Sequence, residues 1–199
     1  MVSVLYVAAL SAAAGCSRVE SYMVDPVVAS SAAIEQYDKS GDGLLDETEL
    51  KACPALLLEL RAYDESNDKK LSAEEIGAQI KEMYGRGAGL TSLDCTVTMD
   101  GSPLSGATVR FIPEHFLGEE IKAAEGITNS DGNASMSIAP EELPKELRRH
   151  SFMRTGIYRV EITHPTKKIP AKYNTDTTLG FEFHRTNHIQ PPTFNLASK

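Results

Sequence analysis

The chain has 199 residues, 41% hydrophobic and 24% charged, which is ordinary for a globular protein of one large domain or two small ones. Its formal net charge of −8 argues against a nucleic-acid partner, because no basic surface is available to neutralise phosphates. Most of the excess acid lies in residues 17–92, the first half of the chain.

The N-terminus has the pattern of a targeting segment. Residues 2–15 are uncharged and apolar, and as a helix they rise about 21 Å, short of the roughly 30 Å hydrocarbon core of a bilayer. We therefore predict a signal peptide over residues 1–15. The ending Ala13-Ala14-Gly15-Cys16 resembles a bacterial lipobox, which implies a lipid anchor on Cys16, export and attachment to the cell envelope. The alternative is an ordinary secretory signal that contains a cysteine.

Residues 16–29 are interpreted as a tether, which leaves Cys53 and Cys95 in the folded part. In an oxidising compartment these two cysteines could pair, although nothing in the sequence places them close together. Two free buried thiols are at least as well supported, and both alternatives stay open.

The pattern of the chain changes near residue 84. Residues 30–83 are helical in pattern and are interrupted by two acidic loops, and residues 84–92 are rich in glycine and small residues, as in a linker. The remaining part, residues 93–199, alternates between polar and apolar residues in short runs separated by turn signals. We expect strands near 96–99, 107–113, 134–138, 158–163 and 180–184, with one helix at 140–150.

The first acidic loop, residues 38–49, has the spacing of a calcium site. Calcium takes six to eight oxygen ligands, and a twelve-residue loop can supply them from positions 1, 3, 5, 7, 9 and 12. Gly43 stands at position 6, where the chain must turn sharply, and Leu45 at position 8 is expected to pair with a second loop. The predicted ligands are Asp38, Ser40, Asp42, Leu44 through its carbonyl, Asp46 and Glu49.

A second loop, residues 64–75, repeats this spacing 26 residues later. Lys69 occupies the position of the turn glycine, where a positive φ costs about 1 kcal/mol. This loop also has fewer carboxylates, so we expect weaker binding or a structural role. Its predicted ligands are Asp64, Ser66, Asp68, Lys70 through its carbonyl, Ser72 and Glu75.

The two loops and their flanking helical segments, residues 30–83, together resemble an EF-hand pair of the compact kind found in bacterial secreted proteins. The resemblance implies Ca²⁺ as the cofactor. A calcium sensor that opens a groove for a target is less well supported, because only Met83 lies near the pair and such sensors use methionine-rich faces.

The second half resembles another family. The motifs DGSPLSGATVRF, GITNSDG and GIYRV are similar to those of the transthyretin-like, carboxypeptidase-regulatory-like β-sandwich modules. Such modules are mostly non-catalytic scaffolds for adhesion or assembly. The expected fold class is therefore α+β and multidomain, with a helical EF-hand pair followed by an antiparallel transthyretin-like β-sandwich.

No catalytic motif stands out. The C-terminal signature of the hydroxyisourate hydrolases with this fold is absent, and no G-x-S-x-G elbow occurs. His184 and His188 are four residues apart, but in strand-like sequence they are better interpreted as surface histidines than as metal ligands. The favoured function is a non-catalytic, calcium-binding envelope protein. Its partners would be calcium, a membrane and an unknown envelope protein or polysaccharide. The alternative is a metal-dependent hydrolase, or a carbohydrate- or protein-binding module, that uses the sandwich.

Overall fold

The structure is a computed structural model that describes residues 24–85, 89–184 and 191–199. The predicted signal peptide, Cys16, most of the predicted tether and His188 lie outside these residues. The first described helix begins at Pro26, four residues before the predicted start of the helical part at residue 30.

The described residues form four α-helices whose starts follow ordinary capping chemistry. Asp25 accepts hydrogen bonds from two amides of the first turn, and Asp46 and Ser72 each form a capping box with a glutamate three residues later. Prolines occupy the first position of the helices that begin at Pro26 and Pro54, where a missing N–H is harmless. The helices are α1 (Pro26–Tyr37), α2 (Glu47–Leu50), α3 (Pro54–Tyr63) and α4 (Ala73–Tyr84).

Twelve short strands are formed within the same residues. β1 pairs with β2, β3 pairs with β9, and the other eight belong to one sheet. The strands are β1 (Leu44–Asp46), β2 (Lys70–Ser72), β3 (Leu90–Thr91), β4 (Leu93–Met99), β5 (Ser102–Pro103), β6 (Thr108–Pro113), β7 (Ala124–Ile127), β8 (Asn133–Ile138), β9 (Met153–Arg154), β10 (Gly156–Thr163), β11 (Gly180–Phe183) and β12 (Thr193–Leu196).

The main sheet curls into a half-barrel. Seven strands follow the order β11-β10-β6-β7-β8-β4-β12, and β5 pairs with β4 beside this path. Only the β12–β4 pairing is parallel among the described strands. The rings of Phe111 on β6 and Phe194 on β12 lie 6.0 Å apart although three strands separate them in the sheet. The sheet must therefore bend round a shared interior.

The helices pack against this sheet. α3 lies on β11 and β10, and α1 contacts the 3₁₀ turn His115–Leu117 that follows β6. A Cβ at Gly180 would come within 2.1 Å of the Ala55 nitrogen, so glycine permits the close approach of α3 to the sheet. Buried side chains of both parts form one hydrophobic core.

The predicted fold class is therefore wrong. The protein is a sheet-rich α+β body with one curled sheet, not a distinct helical EF-hand pair joined to a two-sheet sandwich. The physical reason is β7, which pairs with both β6 and β8 and so joins strands that a sandwich would divide between two facing sheets.

The predicted helix at 140–150 is also wrong. The segment forms two 3₁₀ turns, Pro140–Glu142 and Lys145–Leu147. Pro144 has no N–H to donate and disfavours the helical conformation at Leu143, which has ψ 149°.

Candidate metal centre

Asp38 organises the first half of loop one, residues 38–49. Its Oδ1 accepts a hydrogen bond from the Gly41 amide at 2.6 Å and one from the Ser40 hydroxyl at 3.1 Å. Its Oδ2 accepts from the Gly43 amide at 2.8 Å. Gly41 and Gly43 have φ of 75° and 81°, a conformation that favours glycine and turns these amides toward the carboxylate. Asp38 thus holds the loop around its own side chain.

Glu49 closes the loop from the other end. Its Oε1 accepts from the amides of Lys39 and Ser40 at 2.8 and 2.9 Å, while its Oε2 accepts from the Asp46 amide at 3.0 Å. Ser40 therefore contacts both Asp38 and Glu49, the first and last predicted ligands. The chain ends of loop one are brought together by these two carboxylates.

The other two carboxylates among the predicted ligands of loop one have different surroundings. Asp46 caps α2 by accepting from the amides of Thr48 and Glu49. Asp42 accepts from the Leu44 amide at 2.9 Å through Oδ1, and its Oδ2 lies 2.6 Å from the Lys70 ammonium of loop two. Asp42 is thus the predicted ligand that forms an ion pair with a residue of the other loop.

Loop two, residues 64–75, repeats the frame of loop one. Asp64 accepts from the amides of Asp68 and Lys69 at 3.1 and 2.9 Å and from the Ser66 hydroxyl at 3.2 Å. Glu75 accepts from the Ser66 amide and from the amide and hydroxyl of Ser72. Asp68 accepts from the Lys70 amide, as Asp42 does from Leu44. The hydrogen bonds therefore correspond between the loops, except that the second amide on the first acid comes from the fourth position in loop one, Gly41, and from the fifth in loop two, Asp68.

The turn of loop two is strained where the turn of loop one is not. Asn67 and Lys69 have φ of 61° and 66°, at the positions where loop one has glycines. Asparagine tolerates this conformation well, but for lysine it costs about 1 kcal/mol. The positive φ predicted for Lys69 is confirmed.

A two-stranded ribbon joins the loops. β1 and β2 run antiparallel with Leu44 opposite Ser72, Leu45 opposite Leu71 and Asp46 opposite Lys70. Leu45 and Leu71 are fully buried, so each loop anchors the other in the core. The pairing predicted through Leu45 is confirmed, and it places the two loops side by side.

The hydrogen bonds keep several of these acids ionised. The Gly43 amide lowers the pKa of Asp38, the Lys70 ammonium lowers that of Asp42, and the Asp46 amide lowers that of Glu49. For Glu75, burial raises the pKa, but the donors on Ser72 and Ser66 together outweigh it and the net shift is downward. The carboxyl groups of Asp38, Asp42, Glu49 and Glu75 are therefore held in their ionised form.

The donor set of loop one suits calcium in its chemistry, since carboxylate, hydroxyl and carbonyl oxygens are the ligands that this hard cation takes. In the described parts of the chain, however, no three His, Cys, Asp or Glu side chains converge closely enough to hold a metal ion. The reason is that the carboxylates face backbone amides and, for Asp42, Lys70. Metal binding therefore requires their oxygens to turn inward.

Three tyrosines connect the helices to the sheet. Each is the last residue of its helix and donates its phenol hydrogen across the interface: Tyr37 to Glu114 at 2.6 Å, Tyr63 to Glu182, and Tyr84 to the Thr155 carbonyl at 3.0 Å. Tyr37 and Tyr63 directly precede the first residues of the two loops. The two loop entrances are thus fixed to buried glutamates, Glu114 directly after β6 and Glu182 on β11.

Sequence reasoning missed these buried carboxylates. Glu114 and Glu182 are 4% and 7% exposed, and burial raises the pKa of both, for Glu182 to about 7. The recurrence of tyrosine before each loop is visible in the sequence, but nothing there identifies the acceptors.

The two cysteines of the folded part are free and buried. Cys53 precedes α3, whereas the Cys95 thiol on β4 contacts the Met136 sulfur at 3.7 Å. Burial raises the pKa of both thiols, that of Cys95 to about 12. Of the two alternatives left open by the sequence, the structure has the free thiols.

His184 differs from its prediction as a surface histidine, because it is 8% exposed. It interacts with other residues, and in the described parts of the chain it belongs to no cluster that could hold a metal ion. No residue of the candidate metal set lies beside it in sequence.

Among the described residues, no helix combines the length and apolar character needed to cross a membrane. Comparison with protein-family models, with curated proteins and with solved structures finds no match for this chain.

Proposed function

We propose that this protein is a non-catalytic, calcium-binding protein of the cell envelope, in which loop one is the stronger site and loop two a weaker or structural one. The predicted ligands of loop one are carboxylate, hydroxyl and carbonyl oxygens of the kind used in EF-hand loops. Bound calcium would supply a divalent charge that draws the acidic groups of one loop together.

The observation that carries the proposal is the repeated frame of the two loops. Asp38 and Asp64 accept from corresponding amides, Glu49 and Glu75 reach back to the start of their loops, and β1 and β2 join the loops. A solvated acidic turn has no need of such a repeat. If each loop binds the same kind of cation, the presence of two copies with acids at the same positions is explained.

The difference in calcium affinity that we expect between the two loops follows from their residues. Loop two places Lys69 in a positive-φ position and has serine in place of Asp46 at the ninth position. Fewer charged ligands and a strained turn both weaken calcium binding. Affinities in the submillimolar to millimolar range would be sufficient outside the cytoplasm.

Isothermal titration calorimetry of the full chain tests this proposal. We expect one or two calcium ions per molecule, with Glu49→Gln removing the tighter site and Glu75→Gln the weaker one. Glutamine keeps an oxygen that can accept the same amides, so the loop frame is retained. The matched control is Glu47→Gln, an exposed acid of loop one that is not a predicted ligand. Equal loss in Glu47→Gln and Glu49→Gln, or no uptake by the wild type, would refute the assignment.

The export part of the proposal rests on residues 2–15 and Cys16. Expression in a bacterium followed by mass spectrometry of the N-terminal peptide should show a diacylated or triacylated Cys16 that Cys16→Ser abolishes. An unprocessed N-terminus, or one cleaved without lipid, would contradict the anchor. Neither result would bear on the calcium loops.

A further inference from the structure

Lys70 belongs to loop two in sequence but contacts loop one in space. Its ammonium lies 2.6 Å from Asp42 Oδ2, the shortest of the ion pairs among the described residues. The contact is built by the ribbon, because β1 and β2 pair with Asp46 opposite Lys70 and so hold the lysine beside the other loop.

Two properties of this ion pair bear on metal binding. Asp42 is the predicted fifth-position ligand of loop one, and the oxygen facing Lys70 would have to turn toward a bound ion. The side chains are 34% and 42% exposed, so the pair is partly screened by solvent and can open without unfolding the ribbon.

The ion pair shifts the pKa values of Asp42 and Lys70 in the directions that favour the charged form of each. The pKa of Asp42 is lowered, chiefly by the hydrogen bond from Lys70, and the pKa of Lys70 is raised, chiefly by the hydrogen bond to Asp42. Lys70 is further favoured in its charged form by Asp46 and Asp68, one from each loop. Its ammonium therefore lies in the combined negative field of both loops.

We propose that Lys70 competes with calcium for loop one. Its ammonium pairs with the Asp42 carboxylate and thereby lowers the calcium affinity of loop one. Calcium entering loop one must displace this ammonium and tolerate its repulsion nearby. Loop two would then act on loop one through its own side chain, whether or not loop two holds an ion. Lys70 can have this role only if loop one binds calcium as proposed.

The neighbouring lysine provides the matched control. Lys69 carries the same charge one residue earlier, but it lines a groove against α3 with Glu47, Leu58 and Arg61. Within the described residues its ammonium forms no ion pair. Removing the charge of Lys69 therefore changes the net charge of the protein without releasing Asp42.

The experiment measures the calcium affinity of loop one by calorimetry in full-length protein carrying Glu75→Gln, which silences the second site. In this background, Lys70→Met should tighten the dissociation constant about three- to tenfold at low salt, because one opposing charge is removed from the site. Lys70→Arg and Lys69→Met should each stay within about twofold. Lys70→Gln serves as a second neutral variant.

Two further readouts separate competition from a structural role. At about 1 M NaCl, where the screening length falls to about 3 Å, the gain from Lys70→Met should shrink toward onefold. In excess chelator, the same variant should be no more stable to urea than its Glu75→Gln parent, because it loses an ion pair and gains nothing. A structural role would instead lower the calcium affinity and the stability together.

Unchanged or weaker calcium binding in Lys70→Met and Lys70→Gln, with uptake by the parent, would overturn the role of Lys70 and leave calcium binding standing. An effect of Lys69→Met equal to that of Lys70→Met would also overturn it, since net charge alone would then suffice. No uptake by wild type, parent or variants would remove the proposed function itself, and Lys70 with it.

Discussion

Replacing Glu182 with glutamine is expected to remove a pH dependence from the folding stability. Glu182 lies on β11, is 7% exposed and accepts a hydrogen bond from Tyr63 at the end of α3. Burial raises its pKa from the ordinary 4.5 to about 7, with repulsion from Glu59 and Glu82 adding to the rise and the Tyr63 phenol opposing it. The folded protein therefore holds a proton that the unfolded chain releases.

The sign and size of this pH dependence follow from the linkage between proton binding and folding. Between about pH 4.5 and 7 the folded state binds more protons than the unfolded state, so stability falls as the pH rises through this window. The gap of about 2.5 pH units corresponds to about 3 kcal/mol at 1.36 kcal/mol per unit. About 2–3 kcal/mol of this should appear between pH 5 and pH 8.

The assay is urea unfolding followed by circular dichroism at several pH values in excess chelator, because the chain has no tryptophan to report by fluorescence. The free energy of unfolding of Glu182→Gln minus that of wild type should grow by about 2–3 kcal/mol from pH 5 to pH 8. Taking the difference cancels other titrating groups, including Glu114. The control is Glu125→Gln, which removes an exposed carboxylate from β7 and should not reproduce this growth.

A second variant tests the cause. Tyr63→Phe removes the donor that lowers the pKa of Glu182, so the upper end of the window in which stability falls, set by the folded-state pKa, should move above about 7. A flat difference between Glu182→Gln and wild type would refute the reasoning, as would a window that ends near pH 4.5.

Three other substitutions test the packing, and a fourth serves as the control for the first of them. Gly180→Ala places a methyl group against the backbone of α3 and should destabilise the protein by about 3 kcal/mol or more, whereas Gly101→Ala, at φ 78° in open space, should cost about 1 kcal/mol by urea unfolding. Leu45→Ala empties a fully buried site in the ribbon, and thermal melts should show a loss of about 2–5 kcal/mol. Tyr84→Phe removes the donor to the Thr155 carbonyl, and chemical unfolding should show a loss of about 1–3 kcal/mol.

Two features predicted from the sequence are confirmed, the positive φ of Lys69 and the strand pairing through Leu45, and both are determined by neighbouring residues. The hydrogen bonds that shape loop one are also local, since they span ten residues or fewer, such as Gly43 to Asp38 and Lys39 to Glu49. Leu45 could be identified as a pairing position because its place in the loop repeats at Leu71. Local chemistry repeated at a fixed spacing is readable without a structure.

The fold class failed because it depended on one short strand. β7, residues Ala124–Ile127, has four residues that include Gly126, and its strand signal is weak beside the turn that follows it. Missing it leaves two groups of strands that look like two sheets. With it, the pairings to β6 and β8 close the strands into one.

The buried glutamates could not be predicted from the sequence for a different reason. Glu114 lies 77 residues from Tyr37, and Glu182 lies 119 residues from Tyr63, so no local pattern connects donor and acceptor. The ion pair between Lys70 and Asp42 is similar, because it exists only once the ribbon has placed the two loops side by side. Long-range pairs of this kind are set by the tertiary fold.

A calcium titration of ¹⁵N-labelled protein, followed through its backbone amide resonances, tests directly whether loop one binds calcium. The amides of Gly41, Gly43 and Ser40 already donate to the carboxylates that would bind the ion, so they should shift saturably and ahead of those of loop two. Amides of the main sheet should move little. Saturable shifts confined to other surface acids, or none in loop one at millimolar calcium, would show that loop one is not the calcium site.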